Sequence, residues 1–339
     1  MEQLVQKPLV AKRSATSGSS KRPASTVRRL GQYHWRQRLR EKAIHVFLAC
    51  NGYLAIILIF LIFLFLFKEG FHALRSIPPL HWVGNKTLDF NGREVFSYIW
   101  QPLSSTPKYS LMPLLSGSFL VALPATLLST VIGIGCGVYL AELASPRMRE
   151  LLKPVVELLA GIPTVVIGFL ALSVIATVVQ NLFHTQFRLN AFVGALGVSL
   201  VIVPLIASMT EDALRAVPNE LREASYGLGA TRWETLSRVI LPAGVSGISA
   251  SILLGMGRAL GETMIVLMAT GNAAVFTGNI FSSVRTMTAT IAAELGSAAH
   301  GSEIYYALFF VGSVLFTLTF LINLVSEIVV ERMRRRLKL

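Results

Sequence analysis

Residues 214–264 read LRAVPNELREASYGLGATRWETLSRVILPAGVSGISASILLGMGRALGETM, and this stretch decides the fold. Its first half, up to about residue 241, is polar and charged. Its second half is an apolar run that could enter a bilayer, yet it carries Arg258 and Glu262, and ionisable groups inside a membrane are costly and usually functional. We therefore expect a docking surface in the first half and a polar pathway in the second.

The composition indicates a membrane protein. Of the 339 residues, 53% are hydrophobic and only 14% are charged, whereas soluble domains average about 25% charged residues. A net charge of +13 in a soluble protein would suggest nucleic-acid binding, but here the basic residues lie at membrane edges and in the N-terminal arm. Cys50 and Cys136 both sit inside apolar runs and form neither a disulfide framework nor a metal-ligand spacing.

Six apolar runs are long enough to span a hydrocarbon core of about 30 Å as helices. They cover residues 46–67, 114–143, 155–179, 191–209, 245–270 and 304–330. The second run is rich in small residues, which allow helices to approach closely, so we expect it to be buried in a bundle. The predicted fold class is therefore an all-α integral membrane protein with six transmembrane helices.

The segments between and before the runs are polar. Residues 1–42 form a basic, Ser/Thr-rich arm with eleven Lys and Arg, and we expect it to be disordered until about residue 32. It could bind anionic lipid headgroups as a cytoplasmic tail, be an organelle transit peptide, or bind nucleic acid; the first interpretation is favoured. Residues 68–113 contain Trp82 and Trp100 and are expected outside the bilayer, resting on its interface. Within 272–302 we expect a surface or re-entrant helix.

The distribution of Lys and Arg predicts the orientation. With the N-terminus inside, the inside segments hold 23 Lys and Arg and the outside segments hold 6. The positive-inside rule therefore places both termini, the basic tail 332–339 and the polar interval 210–241 in the cytoplasm.

The polar interval predicts two short helices joined by a glycine turn. Pro218 or Asn219 can begin the first helix, and Gly227 and Gly229 end it. The second helix is expected over 231–239, where Pro242 stops it. Apolar residues lie among the charges of this interval, as expected of a surface that fits a partner's groove: Leu221, Ala224, Tyr226 and Leu228.

At these residues the sequence resembles a known family. Glu223-Ala224-Ser225, followed by Gly229 and then by Leu241-Pro242, resembles the EAA loop of ABC-importer permeases, here residues 213–242. The resemblance implies the type I permease fold, with a cytoplasmic coupling helix that sits in a cleft of an ATPase subunit. It assigns ATPase coupling to the residues that carry the motif: Glu223, Ala224, Ser225, Gly229, Leu241 and Pro242. Ser225 departs from the pattern, since alanine is usual there.

Arg258 and Glu262 are four residues apart, so on one continuous helix they would share a face and could pair. The pair could be a structural ion pair that locks the bundle. It could instead line a polar pathway, because a guanidinium group binds two oxygens of an oxyanion at once. The residues alone leave both interpretations open.

The stretch GMGRALGETM (255–264) and the stretch VELLAGIPTVV (156–166) resemble the PstC-type permeases of the high-affinity phosphate ABC importer. The resemblance covers about residues 113–337. It implies a substrate pathway at Arg258, Glu262 and Thr263, and a bacterial inner-membrane location. It also implies a second, PstA-type permease, two ATPase subunits and an extracytoplasmic phosphate-binding protein.

The same resemblance implies that this chain is not an enzyme, with no catalytic residue, metal or cofactor of its own, because ATP and Mg²⁺ would be bound by the ATPase. The sequence contains no GxxxxGK[ST] motif. Two alternatives stay open: a permease for molybdate, sulfate or phosphonate, and a membrane sensor or scaffold that signals through its basic arm.

Overall fold

The computed structural model describes residues 24–88 and 94–336. The chain divides into two units, Met1–Ile62 and Phe63–Leu339, and helix α1 (Ala24–Ser76) contributes to both. Residues 24–42 are helical, so the disorder expected up to about residue 32 is wrong for residues 24–32, while 1–23 lie outside the described residues. The physical reason is that Arg, Gln, Leu and Lys are good helix formers, and extending an existing helix costs less than nucleating one.

The second unit is mainly helical. After α1 its helices are α2 (Pro79–Val83), α3 (Met112–Val138), α4 (Pro146–Ala160), α5 (Thr164–Leu170), α6 (Ala176–Phe183), α7 (Ala191–Arg215), α8 (Asn219–Gly227), α9 (Arg232–Thr235), α10 (Leu241–Gly261), α11 (Met264–Ala269), α12 (Met287–Glu294) and α13 (Glu303–Arg336). Three π-helical turns extend or join them: Tyr139–Leu143 after α3, Ala171–Ile175 between α5 and α6, and Leu236–Ile240 between α9 and α10.

The expectation of six membrane-spanning helices is confirmed. Among the described residues, six helical stretches are long and apolar enough to cross a membrane. They are Arg38–Ser76, Met112–Leu143, Thr164–Phe183, Ala191–Arg215, Arg232–Gly261 and Glu303–Arg332.

The third span was predicted to begin too early. Residues 155–160 belong to α4, which ends before Gly161, and the span begins at Thr164 after Pro163. Proline lacks the backbone N–H that would continue α4, so the chain breaks there. The fourth span also differs, because α7 continues past Met209 to Arg215.

The bundle core lies between α3, α7 and α10, and small residues set its spacing. A side chain at Gly133 of α3 would come within 2.8 Å of Ile206 of α7, and one at Gly137 within 2.6 Å of Thr210. The two helices therefore approach nearly backbone to backbone, as interfaces of membrane helices often do. The small-residue face of the second span therefore packs in the bundle as expected, while its other face is exposed, as at Leu127 and Val131.

Residues 77–88, 94–111 and 270–302 lie together at one end of the second unit, which we call the loop end. Two short antiparallel ribbons form there that the sequence did not predict: β1 (Asn85–Leu88) with β2 (Glu94–Ser97), and β3 (Trp100–Gln101) with β4 (Lys108–Tyr109). An isolated bridge between Ile99 and Val275 joins the two segments.

The tryptophans of the loop end are buried in the protein, so their expected place at the membrane interface is wrong. Trp82 is 5% exposed and packs against Phe310 of α13, with ring centroids 4.3 Å apart and the ring planes tilted by 51°. Trp100 is 1% exposed, and its Nε1–H donates to Glu294 of α12 at 3.0 Å. Glu294 also pairs with Arg285. A buried indole needs a partner for its N–H, and a carboxylate from a distant part of the chain supplies it here.

Tyr109 completes this packing. Burial raises the pKa of Tyr109 to about 12, and the nearby charge of Glu303 adds to the shift. The phenol oxygen of Tyr109 lies 3.5 Å from the Glu303 carboxylate, to which it donates. The phenol therefore stays protonated and ties the second ribbon to the start of α13.

Candidate functional site

The fifth span is not one continuous helix. Helix α10 ends at Gly261, Glu262 is extended (φ −67°, ψ 132°), and α11 begins at Met264. The Glu262 Oε1 accepts from the backbone N–H of Thr263 at 3.1 Å and of Ile265 at 3.4 Å. The carboxylate thus satisfies N–H groups at the start of α11, which would otherwise lack partners in an apolar region.

This geometry overturns the predicted pairing of Arg258 with Glu262. Because Glu262 leaves the helix, the two side chains no longer share a helical face, and no ion pair joins them. Within the described residues, Arg258 makes no ion pair at all, and its side chain is exposed. Leu254, one turn earlier on α10, is 47% exposed, so this face of α10 is open in the isolated chain.

The break lies opposite the middle of α13. Gly261 and Thr263 face Phe316 and Thr319 across a groove of about 450 Å³. The sixth span covers Glu303–Arg332, so Phe316 stands near its midpoint and the break stands near mid-membrane. A discontinuous helix at this depth is typical of substrate sites in transporters.

A threonine that the sequence analysis missed holds the break in place. The Thr288 hydroxyl donates to the backbone oxygen of Glu262 at 2.7 Å. Thr288 belongs to α12, which confirms the helix expected within 272–302. The run TMTAT at 286–290 was a signal that could have drawn attention to it, since it places three hydroxyls in one otherwise apolar segment.

The EAA loop folds as two short helices, and the first matches its prediction. Helix α8 covers Asn219–Gly227, and Gly229 turns the chain with φ +86°, a conformation that favours glycine. Helix α9 begins with a capping box in which the Thr231 hydroxyl accepts from the Glu234 backbone N–H and the Glu234 carboxylate accepts from that of Thr231.

Ser225, the residue that departs from the family pattern, makes the contact between the two helices. Its hydroxyl lies 2.9 Å from the Thr235 hydroxyl, and both residues are buried. The departure from alanine is thus matched by a hydrogen-bonding partner ten residues later.

The second helix does not stop at Pro242, contrary to the prediction. A π-helical turn, Leu236–Ile240, carries the chain from α9 directly into α10, and Pro242 follows it. A local change from α-helical to π-helical hydrogen bonding is one way in which a membrane helix accommodates a proline. Arg232–Gly261 is therefore one helical rod of 30 residues, about 45 Å long at 1.5 Å per residue. It joins the EAA loop to Arg258.

The EAA loop presents an apolar surface. Leu228 is 90% exposed and Trp233 68% exposed, which is unusual for side chains of this size. Tyr226, Glu223 and Ala224 are also exposed. Such a surface indicates a protein partner. The other two motif residues lie on the rod, where Leu241 is half-buried and Pro242 exposed.

The described residues hold no group of three or more His, Cys, Asp or Glu side chains arranged to bind a metal ion. The polar groups near the break are the Arg258 guanidinium group, hydroxyls, backbone dipoles and the Glu262 carboxylate, which is already bonded to the start of α11. The guanidinium group, hydroxyls and backbone dipoles suit binding and passage of an anion.

Comparison with known proteins places this geometry in context. Residues 133–337 match the family described as binding-protein-dependent transport system inner membrane component. The chain is similar to the Probable ABC transporter permease protein YqgH of Bacillus subtilis, at 35% identity over 69% of this chain and 75% of that protein. It is also similar to the Phosphate transport system permease protein PstC of Mesorhizobium japonicum, at 34% identity over 70% of this chain and 77% of that protein.

Solved structures share the fold. A bacterial ABC transporter involved in the import of the acidic polysaccharide alginate aligns with a TM-score of 0.56 at 17% identity, over 88% of this chain and 99% of its own. The inward-facing MetNI methionine ABC transporter aligns with a TM-score of 0.51 at 19% identity, over 66% of this chain and 97% of its own. The architecture is that of type I ABC-importer permeases.

Proposed function

The chain belongs to the family of binding-protein-dependent transport system inner membrane components, and we propose that it is the PstC-type permease subunit of an ABC importer for inorganic phosphate. It is a non-catalytic membrane subunit, so a separate ATPase supplies the energy. The observation that carries the proposal is Arg258, an exposed guanidinium group that makes no ion pair with any described residue and stands beside a break near mid-membrane.

The chemistry of phosphate explains why an arginine stands there. A guanidinium group donates two parallel hydrogen bonds to two phosphate oxygens and stays charged at any physiological pH. Glu262 turns its carboxylate to the start of α11 instead of to Arg258, which leaves the arginine available for an anion. Thr263, on the groove beside the break, adds a hydroxyl near the pathway.

The partners follow from the same proposal. A PstA-type permease would cover the exposed face of α10, and two ATPase subunits, which bind ATP and Mg²⁺, would each receive one EAA loop. An extracytoplasmic phosphate-binding protein would deliver the substrate at the loop end. On this proposal the spans lie in the inner membrane of a bacterium, and both chain termini and the EAA loop lie in its cytoplasm; the excess of Lys and Arg in these segments supports that orientation.

Transport would then be a rigid-body transition. Closure of the ATPase dimer on ATP draws the two EAA loops together, and the rod Arg232–Gly261 carries that displacement to the break. The permease pair turns outward, accepts phosphate beside Arg258, and releases it inward when the ATPase dimer opens.

The test is uptake of radiolabelled phosphate into liposomes that contain the four kinds of subunit and internal ATP. We expect ATP-dependent phosphate uptake, with sulfate and molybdate transported at background rates. Uptake of molybdate or sulfate but not phosphate would replace the proposed substrate by another oxyanion. Unchanged uptake by an Arg258→Gln variant, with loss of a phosphate-dependent signal instead, would favour the sensor.

A further inference from the structure

A group of charged side chains, buried to different extents, lies at the end of the bundle where the EAA loop joins it. We call this group the ion cluster. Its members come from the turn after α3, from α4, from α7 and from α8: Glu142, Arg149, Lys153, Glu211, Arg215 and Arg222.

Glu211 of α7 is the centre of the ion cluster. It is 0% exposed, and its Oε1 lies 3.1 Å from Arg149 Nε and 3.7 Å from a terminal nitrogen of Arg215. Its Oε2 lies 3.2 Å from Lys153 Nζ. A buried carboxylate is strongly destabilising without such partners, so the three cations explain why α7 can carry an acid here.

Helix α4 is attached to the bundle by charge and not by apolar burial. None of its residues is buried, yet Arg149 and Lys153 both reach Glu211. Partial burial lowers the pKa of Lys153, but its hydrogen bond and ion pair with Glu211 outweigh this and raise the pKa overall, so the ammonium group stays charged. Lys153 also pairs with Asp212 of α7 at 3.6 Å, but that carboxylate is exposed. Glu211, which is buried and pairs with both Arg149 and Lys153, is therefore the principal link between α4 and α7.

Arg222 attaches the EAA loop to the same place. One of its terminal nitrogens lies 3.0 Å from Glu142 Oε1 and donates to the backbone oxygen of Leu214 at 2.7 Å. Glu142 belongs to the turn after α3, and Leu214 is near the end of α7. A displacement of α8 must therefore pull on α3 and α7, and through Glu211 on α4.

Helix α4 leads to the second half of the broken span. After the short non-helical segment 161–163 the chain continues as α5, which packs closely on α11. A side chain at Gly168 of α5 would come within 3.3 Å of the Ile265 Cα of α11. The rod Arg232–Gly261 therefore leads to the break after Gly261 through α10, and α4 with α5 leads to the same break through α11.

We propose that the ion cluster is a second coupling route, which transmits movement of the EAA loop through Arg222, Glu211 and α4 to α11, so that both halves of the broken span move together. Glu211 and Arg222 are then positioning residues for transport. The inference rests on the proposed function for its purpose, but the mechanical link itself requires only that an ATPase moves the EAA loop.

The direct test measures whether α4 and the EAA loop move as one body. Spin labels are placed at the exposed positions Leu151 of α4 and Glu220 of α8, in a chain without Cys50 and Cys136, assembled with its partners in lipid. We expect one narrow distance distribution with and without ATP. Glu211→Gln should broaden it, because the exposed Lys153–Asp212 pair is then the ion pair that still holds α4 to α7.

Glu150→Gln is the matched control for Glu211→Gln. It removes the same charge from the exposed side of α4, where Glu150 makes no ion pair with the described residues. We expect its distance distribution to stay narrow. A narrow, ATP-independent distribution in Glu211→Gln would overturn the proposal.

The functional readout is phosphate transported per ATP hydrolysed. Glu211→Gln and Arg222→Glu should each lower this ratio by about tenfold or more, since each removes one partner of a buried charge group, while ATP hydrolysis continues. The double variant Glu142→Arg with Arg222→Glu restores the ion pair with reversed charges but not the hydrogen bond to the Leu214 carbonyl. It should therefore recover part of the ratio relative to Arg222→Glu, which excludes misfolding as the whole cause.

A ratio unchanged in both single variants would refute the coupling role. The distance measurement needs ATP but no transported substrate. If the complex proves to carry another oxyanion, the labels still report whether the link exists, so failure of the inference and failure of the proposed function are distinguishable.

Discussion

At Gly229 the cost of an unfavourable backbone conformation can be measured separately from the cost of a steric clash. It has φ +86°, and a side chain added there would meet nothing within 4 Å. Gly227, two residues earlier, also has open space within 4 Å but is the last residue of α8, with no positive φ. Alanine at either position is therefore free of clashes, and only alanine at 229 is strained.

The expected magnitudes follow from this difference. A residue other than glycine in the left-handed region costs about 1–2 kcal/mol, which corresponds to roughly 5- to 30-fold in an equilibrium constant. Gly227→Ala replaces glycine by a better helix former and should gain about 0.5–1 kcal/mol. We expect Gly229→Ala to weaken binding of the ATPase subunit by up to this factor, while the chain still inserts into the membrane.

The assay is ATPase binding to the permease pair in nanodiscs, measured for wild type, Gly227→Ala, Gly229→Ala and Gly229→Asn. Asparagine tolerates the left-handed region better than alanine, so it should bind with intermediate affinity. Equal affinities of Gly229→Ala and Gly227→Ala would refute the reasoning, as would full coupling in Gly229→Trp.

Three further predictions concern other contacts of the chain. Ser225→Ala and Thr235→Val should each destabilise the EAA loop, because each removes the hydrogen bond between the two hydroxyls. In a double-mutant cycle of ATPase binding, the coupling energy between the two substitutions should be about 0.5–1.5 kcal/mol. Strictly additive effects would contradict the hydrogen bond. Leu228→Ala should weaken ATPase binding by about 1.5–3 kcal/mol if the side chain becomes fully buried, and no change would place the docking surface elsewhere. The ultraviolet absorbance difference between wild type and Tyr109→Phe should show a phenol that titrates near pH 12. Because the folded-state pKa exceeds the ordinary 10.0, the stabilisation linked to this proton is complete below pH 10.0 and is lost as the pH rises towards about 12. A titration midpoint at pH 10.0 would contradict the burial of Tyr109.

The features that could be predicted from sequence are those with a local cause. Apolar length fixes the spans, and Asn219, Gly227 and Gly229 mark the first helix of the EAA loop through rules of helix starts and turns. The sequence also singled out Arg258, because a charge within an apolar run is costly whatever surrounds it.

The features that were missed depend on contacts between distant residues. The break after Gly261 is stabilised by Thr288 of α12. The π-helical turn Leu236–Ile240 lets the helix continue past Pro242, which would ordinarily end it. Trp100 was predicted at the membrane interface but is buried, because its indole N–H donates to Glu294, a residue 194 positions away. Helix α7 continues beyond the predicted span and carries Glu211 there, where the carboxylate pairs with Arg149 and Lys153 of α4. No local pattern reports such partners.

The central claim is that Arg258 binds the transported phosphate, and ATP-driven uptake of radiolabelled phosphate by Arg258 variants in the assembled complex tests it most directly. Arg258→Gln should abolish uptake while the complex stays assembled, and Arg258→Lys should retain partial uptake with a raised KM, since it keeps the charge but loses the two-pronged donor. Uptake by Arg258→Gln at the wild-type rate and KM would contradict the account.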